Sequence, residues 1–392
     1  MKAAVLYEVG KKLEIKDLNI DKPKDGEVLI SMKAAGVCAS DHHVIHGQIP
    51  YPTPIVLGHE NAGIVEEVGK NVNDIKVGDS CIMSFVSSCG NCIYCRTGLA
   101  NHCSRHFSDP KVQHKLFGDT FRIHDDKDNG IFQMNKLGGF SEKQVVPADS
   151  LLVIPKEVPP EVAALIGCCV TTGFGGIVNL DNIKTGSTVA VYGCGGVGLN
   201  ILEGARALNA NKIIAVDIFD HKLEFAYKFG ATHVINAKDE DPVEKIKEIT
   251  GGGVDYSFDS FGSSKIMKQA VESLGRRGTA ALVGLAHPKS DVDINMVDLV
   301  RNEKKIVGSF YGYASPLVTM KKIADMYLTG KINIDALIRK KFTLDEINEA
   351  FEDIDKGEDG RGVIVLSLIH ISEPTRQAEI SYAVFWLIKI RG

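Results

Sequence analysis

The 392-residue chain has no basic stripe: its 45 lysines and arginines are interspersed among 50 acids, for a net charge of −5. This speaks against nucleic acid as a partner, and no polybasic cluster offers a membrane anchor. No stretch approaches the roughly 20 apolar residues expected of a membrane span. The start, MKAAVLYEVG, turns polar too soon for a signal peptide. These absences place the chain in the cytoplasm. Disulfides are disfavoured there, so clustered cysteines read as metal ligands or reactive thiols. What is present is ordinary for a globular protein, 44% apolar and 24% charged. The length allows two domains, each with its own core.

The first 100 or so residues read as short strands broken by turns, among them EVLISMKAAGV and AGIVEEVG. The polar stretch from Ser104 to Gly138 has weak periodicity and reads as a loop over the surface. From Pro159 the texture changes. PPEVAALIGCCVTTGFGGIV reads as helix, with its Pro-Pro suited to a helix start. Strand and helix patterns then alternate through TVAVYG, VGLNILEGARAL, KIIAVD, HKLEFAYKFG, HVIN, VEKIKEIT, VDYSFD, IMKQAVESL and GTAALVG. That alternation predicts a doubly wound parallel sheet. After Ser309 come two helical stretches and a last strand, GVIVL, expected to return to the first domain. The residues after Leu366, together with Leu366 itself, resemble the translation of a sequencing adapter, LSLIHISEPTR followed by a short index and ISYAVF. They read as an assembly artefact without functional residues.

Four cysteines crowd into CGNCIYCRTGLANHC, at Cys89, Cys92, Cys95 and Cys103. Four thiolates on one tight loop can surround Zn²⁺ tetrahedrally and leave no position for substrate, which makes a structural site. An iron–sulfur cluster would be the competing reading, but no second cysteine run accompanies it. Three further pieces supply dispersed ligands: Cys38 in GVCASDHH, His59 with Glu60 in GHENAGIVEEVG, and Cys168 in LIGCCVTTGFGG. Two cysteines and a histidine would leave a fourth zinc position open for water or an alcohol. Each piece is weak alone; the argument rests on their co-occurrence with the cysteine loop and the motif that follows.

VAVYGCGGVGLNILEGARALNANKIIAVD holds G-x-G-x-x-G at Gly193, Gly195 and Gly198, with Gly196 and Val197 inside the turn. An apolar strand precedes it, a helix follows, and Asp217 ends the next strand. This pattern predicts a dinucleotide whose pyrophosphate sits at the helix N-terminus. Asp217 would accept the ribose hydroxyls and repel a 2′-phosphate, favouring NAD over NADP.

Together these motifs resemble the medium-chain, zinc-dependent alcohol dehydrogenase family over residues 1 to about 366. The family pattern G-H-E-x-x-G-x-x-x-x-x-G stands as Gly58, His59, Glu60, Gly63 and Gly69. The resemblance implies an α/β fold: a Rossmann-type doubly wound domain over 170–309, plus a mainly β, GroES-like catalytic domain over 1–169 completed by 310–366. It implies two zinc ions per chain, a catalytic one on Cys38, His59 and Cys168 and a structural one on the cysteine loop. Glu60 becomes the acid that can enter the coordination sphere, Ser40 and His43 the proton relay, and Asp41 the group that orients His59. Lys222 and Arg361 would contact cofactor ribose and phosphate, Thr172 and Val197 would line the nicotinamide, and Phe85 the substrate channel. The implied reaction is oxidation of an alcohol with hydride transfer to NAD, and its reverse. Primary alcohols are favoured, because Ser104–Gly138 resembles the insertion of the dimeric branch; a glutathione-linked substrate is a special case. A homodimer is expected, with a tetramer as the alternative. In several relatives a basic residue follows the first cysteine; Ala39 stands here, which implies looser cofactor binding. A zinc-free reductase would lack the three ligands, and a non-catalytic NAD-binding protein would tolerate their loss.

Overall fold

Three β-sheets organise the chain in the computed structural model, which describes residues 1–107, 114–116, 119–180 and 183–366. The tail after Leu366 lies outside the described residues. The sheet of the second half is the parallel one that the alternation predicts. Its order is His233–Asn236, Lys212–Asp217, Thr188–Tyr192, Val254–Asp259, Leu274–Leu282, Lys305–Gly308. Both faces are covered, so Val189, Ala190 and Val191 in its centre are fully buried. The chain winds outward from Thr188–Tyr192 in one direction, then resumes beside it at Val254–Asp259. The crevice at the carboxyl ends of these two strands is where open α/β sheets take their ligands. The edge strand Lys305–Gly308 has no counterpart in the sequence reading, being four residues long and mostly exposed.

The other two sheets are mostly antiparallel. The first runs Glu14–Asp17, Lys2–Leu6, Ile55–Val56, Gly130–Gln133, Ile123–His124, Asn19–Ile20. The second is built around Glu27–Gly36, which pairs with Glu60–Val68 on one side. On its other side Lys143–Pro147 takes the first half of that strand and Arg361–Val365 the second. The last strand therefore does return to the first half of the chain. Its register sets Glu60 and Val363 on either side of Gly36, two residues before Cys38. That pairing, between segments 301 residues apart, delivers Arg361 to Glu60.

Two expectations need correction. The described part of Ser104–Gly138 is not a surface loop: two of its segments are strands of the first sheet, and Arg122 is 1% exposed. Arg122 grips the buried Glu27 with Nε and Nη2, each at 2.8 Å, while Nη1 donates to Thr120 Oγ1 and the Phe121 carbonyl. Strands of two and four residues carry little periodicity, and a buried polar pair looks like surface to a hydropathy scan. Conversely, one helical run, Pro160–Val178, is apolar and long enough to cross a membrane, although the sequence reading found none. It is 83% buried inside the fold, so it is a core helix joining the two halves. Its centre, Ile166–Val170, widens into a π-turn, a distortion often found at functional sites.

Candidate functional site

Cys38 sits in extended conformation (φ −116°, ψ 147°) as the cap of the short helix Ala39–Ile45. His59 immediately precedes the strand Glu60–Val68, which Glu60 opens, and Cys168 lies in the π-turn. The fold brings all four together: their ligand atoms lie within 4.8 Å of one another and all four residues are buried. Asp41, from the turn after Cys38, is fully buried beneath them. Its Oδ1 accepts from the Gly58 amide at 3.0 Å and meets His59 Nδ1 at 3.2 Å. With Nδ1 engaged, the imidazole presents Nε2 to the centre of the cluster.

The electrostatics match that geometry. Hydrogen bonding with Cys168 holds the Cys38 thiol well below its usual value despite burial, with Arg361 and His59 adding to the effect. The same contact, with burial, pushes Cys168 up. Burial disfavours a charged His59, but Asp41 and Cys38 outweigh it and hold the imidazole well above its usual range. Burial raises Glu60 to about 7 against the pull of Arg361. Without a metal the pocket therefore favours one thiolate; a divalent cation would let both sulfurs ionise. Glu60 Oε2 is buried with no hydrogen-bond partner in the structure. Two sulfurs, an oriented imidazole and a spare carboxylate oxygen fit Zn²⁺ with an exchangeable position.

The dinucleotide turn adjoins this cluster. Gly193 (φ +95°) lets the chain turn out of the central strand, and a Cβ on Gly198 would overlap the Gly193 carbonyl. A Cβ at Gly195 would meet nothing, so the cap of helix Gly196–Ala207 opens on free space. Asp217 ends the neighbouring strand, its Oδ2 accepting from the Cys194 amide at 2.7 Å and its Oδ1 from Ile218 and Phe219. These features fit a dinucleotide. Lys222 stands a turn further on, its Nζ 5.2 Å over the Phe219 ring. Arg361 links the two centres: it reaches Glu60 Oε1 at 2.5 Å, and its side chain packs where a Cβ on Gly196 would go. Thr172 Oγ1 is 4.0 Å from the Cys168 sulfur, and Gly173, next to it, packs on the Val197 carbonyl.

Ser40 and His43 occupy the same short helix as Asp41, both half-buried, and no hydrogen bond joins their side chains. Burial pushes the His43 imidazole down, with Cys38 pulling the other way. Phe85 stands edge-on to His59 with ring centroids 5.6 Å apart and stacks on Tyr311 at 3.8 Å. Sequence reasoning did not single out Tyr311. It is buried in left-handed conformation (φ +47°), a strained state for a bulky residue. Its hydroxyl donates to the carbonyl of Gly167, the residue before Cys168, at 2.5 Å. The cramped run FYGYAS was the only available signal.

The four-cysteine loop lies apart from this cluster. Its sulfurs also fall within 4.8 Å of one another, and all nine cysteines of the chain are free thiols. Gly90 (φ +72°) and Gly98 (φ +84°) make its turns. Backbone amides point at sulfur: Cys92 at Cys89, Cys95 at Cys92, and Cys89 at Cys103. The amide of Cys95 leads the contacts that bring the Cys92 thiol down to about 6, and backbone amides also lower Cys89, whereas burial pushes Cys95 up to about 12, so the bare loop favours anionic sulfur at some of its positions and not at all four.

A parallel nucleotide-type sheet set against a buried Cys–His–Cys cluster defines a metal- and dinucleotide-dependent dehydrogenase. Comparison with known proteins narrows that class. Residues 24–156 match the family described as alcohol dehydrogenase GroES-like domain, and 196–326 the zinc-binding dehydrogenase family. The chain is 37% identical to putative alcohol dehydrogenase D of Mycobacterium tuberculosis, over 93% of this chain and 99% of that one. It is 36% identical to the NDMA-dependent alcohol dehydrogenase of Amycolatopsis methanolica, with the same coverage. The crystal structure of benzyl alcohol dehydrogenase from Acinetobacter calcoaceticus superposes with a TM-score of 0.86 at 34% identity, covering 93% and 99% of the two chains. The chain belongs to the medium-chain, zinc-dependent alcohol dehydrogenase family. It is an oxidoreductase that interconverts alcohols with aldehydes or ketones, using zinc and NAD.

Proposed function

We propose that the cluster of Cys38, His59 and Cys168 is the catalytic zinc centre, acting on primary alcohols with NAD in preference to NADP. The observation that carries this is the continuity of the two half-sites: Arg361 touches both Glu60 and the start of the dinucleotide helix. When bound, zinc polarises the alcohol oxygen and NAD takes up the hydride. The protein's own part is positioning. Asp41 fixes the His59 ring, and Tyr311 holds the turn that carries Cys168. Ser40 Oγ receives the proton of the alcohol and passes it towards His43 and solvent. Glu60 stands ready as an alternative ligand during exchange, and Arg361 balances its charge. Asp217 takes the adenosine ribose, with Lys222 beside it, while Thr172 and Val197 border the nicotinamide. Phe85, with Phe310 beyond it, lines an apolar approach suited to an unbranched alcohol carbon.

On this reading Cys89, Cys92, Cys95 and Cys103 hold a second, structural zinc. The catalytic domain spans 1–169 and 310–366, and the dinucleotide domain 170–309. The protein works in the cytoplasm, where its nine thiols stay reduced. It forms a homodimer, a reading supported by the edge strand Lys305–Gly308, unpaired on one side among the described residues, with the exposed Met296, Val297 and Val300 nearby in the chain. The test is a screen of NADH formation over primary, secondary, aromatic and polyol substrates, run in parallel with Cys38→Ala. The variant is expected to lose alcohol oxidation and open-site zinc while still binding NAD. An active Cys38→Ala enzyme with no zinc there would overturn the metal assignment.

A further inference from the structure

The helix Ala39–Ile45 turns a second set of donors away from the catalytic cluster. His42 lies on it and His46 caps its end one turn later, with imidazole centroids 4.2 Å apart. Asp355, the last residue of helix Ile347–Asp355, comes up against them from the far end of the chain. One nitrogen of each imidazole and one carboxylate oxygen lie within 4.8 Å of one another. His42 Nε2 is 2.8 Å from Asp355 Oδ1, yet this nitrogen is shielded from solvent and makes no well-directed hydrogen bond. An ordinary imidazole–carboxylate pair would align the N–H with the oxygen. Two donors aimed past one another at this spacing are instead disposed like neighbouring ligands: with metal–ligand bonds of roughly 2.1 Å, ligands at right angles sit about 3 Å apart.

We propose that His42, His46 and Asp355 form a surface site for a divalent transition-metal ion. Two imidazoles and one carboxylate suit Zn²⁺, Ni²⁺ or Cu²⁺, and are too nitrogen-rich for Ca²⁺ or Mg²⁺. His46 and Asp355 are exposed, so solvent supplies the remaining ligands and the ion enters without unfolding anything. The site straps the helix that carries Ser40 and His43 to the helix that precedes Arg361. Occupancy therefore stabilises the relation between two segments more than 300 positions apart. The site is independent of the cysteine-based centres and of the alcohol reading. Its sequence signal is the i, i+4 histidine pair in DHHVIHG, which cannot show Asp355.

The experiment adds Ni²⁺ to the zinc-loaded full chain, counts nickel and zinc after desalting, and follows thermal unfolding. Wild type is expected to gain one nickel per chain, keep its zinc, and melt higher. His46→Ala removes an exposed ligand, so folding is not at issue. It should weaken nickel binding by more than the roughly 10–100-fold typical of losing an outer-shell partner, and abolish the thermal shift. Asp355→Asn should behave similarly, while His287→Ala, at an exposed histidine elsewhere, should bind as wild type does. Nickel taken up only by displacing zinc, or binding undiminished in His46→Ala, would overturn the proposal. So would the absence of any nickel binding, which would leave His42 and Asp355 as a plain ion pair.

Discussion

Asp41 offers the sharpest test of how the catalytic cluster is held. It is fully buried, its Oδ1 serves both the Gly58 amide and His59 Nδ1, and its Oδ2 has no partner. Replacing it by alanine does two separable things. It strands a buried amide, which costs about 1–3 kcal/mol of stability. It also frees the His59 ring to rotate and to change tautomer. Outer-shell carboxylates are typically worth about 10–100-fold in metal affinity, or about 1.4–2.7 kcal/mol at the standard conversion. Asp41→Asn keeps an oxygen acceptor in nearly the same place, so it should lose less stability than alanine while still weakening the metal through the lost charge. The assay is chelator competition, with release of zinc from the two proposed sites followed separately beside alcohol-dependent NADH formation. The alanine variant should release catalytic zinc at about 10–100-fold lower chelator concentration, and the zinc of the four-cysteine loop should be unaffected. Zinc at that second proposed site is an internal control for global unfolding. If Asp41→Ala kept wild-type chelator resistance and full activity, the orienting role would be refuted. If both zincs left together, the residue would matter to the fold and not to the ring.

Three other outcomes follow from the geometry. Cys95→Ser should lower thermal stability and leave about one zinc per chain, because three thiolates cannot close a tetrahedral site; metal counting with calorimetry checks it, and two retained zincs with unchanged melting would contradict it. Asp217→Gly should narrow the preference for NAD over NADP, measured as the ratio of the two kcat/KM values, since the carboxylate at the end of Lys212–Asp217 would repel a 2′-phosphate; wild type that uses NADP at least as well would defeat the assignment. Arg122→Leu should cost about 3–5 kcal/mol in urea unfolding, because it leaves the Glu27 carboxylate in the core without its cation, held only by the Lys24 amide. The double variant with Glu27→Leu should recover part of that loss, and a single variant within about 0.5 kcal/mol of wild type, the scatter of surface changes, would show the pair is not desolvated.

Local chemistry was legible in the sequence by itself. Four cysteines within one short loop can reach a common ion however the rest folds, because the chain between them is too short to carry them apart. The glycines at 193, 195 and 198 encode their turn through what they lack, a Cβ, and the strand and helix on either side show in the hydrophobic period. The parallel sheet was readable for the same reason, as a run of strands and helices each with its own pattern. What only the tertiary structure decided is every relation between distant segments. Cys38, His59 and Cys168 are each named from weak separate motifs, but that they meet is decided by the register of Glu27–Gly36 against Glu60–Val68 and the packing of the π-turn, which set their ligand atoms within 4.8 Å of one another. Arg361 meets Glu60, Arg122 meets Glu27 and Asp355 meets His42 across 301, 95 and 313 positions, and nothing in local periodicity marks these pairs. Buried polar residues are the least legible of all. Hydropathy reads them as surface, and their burial is tolerable only because a partner arrives from elsewhere in the chain to satisfy them.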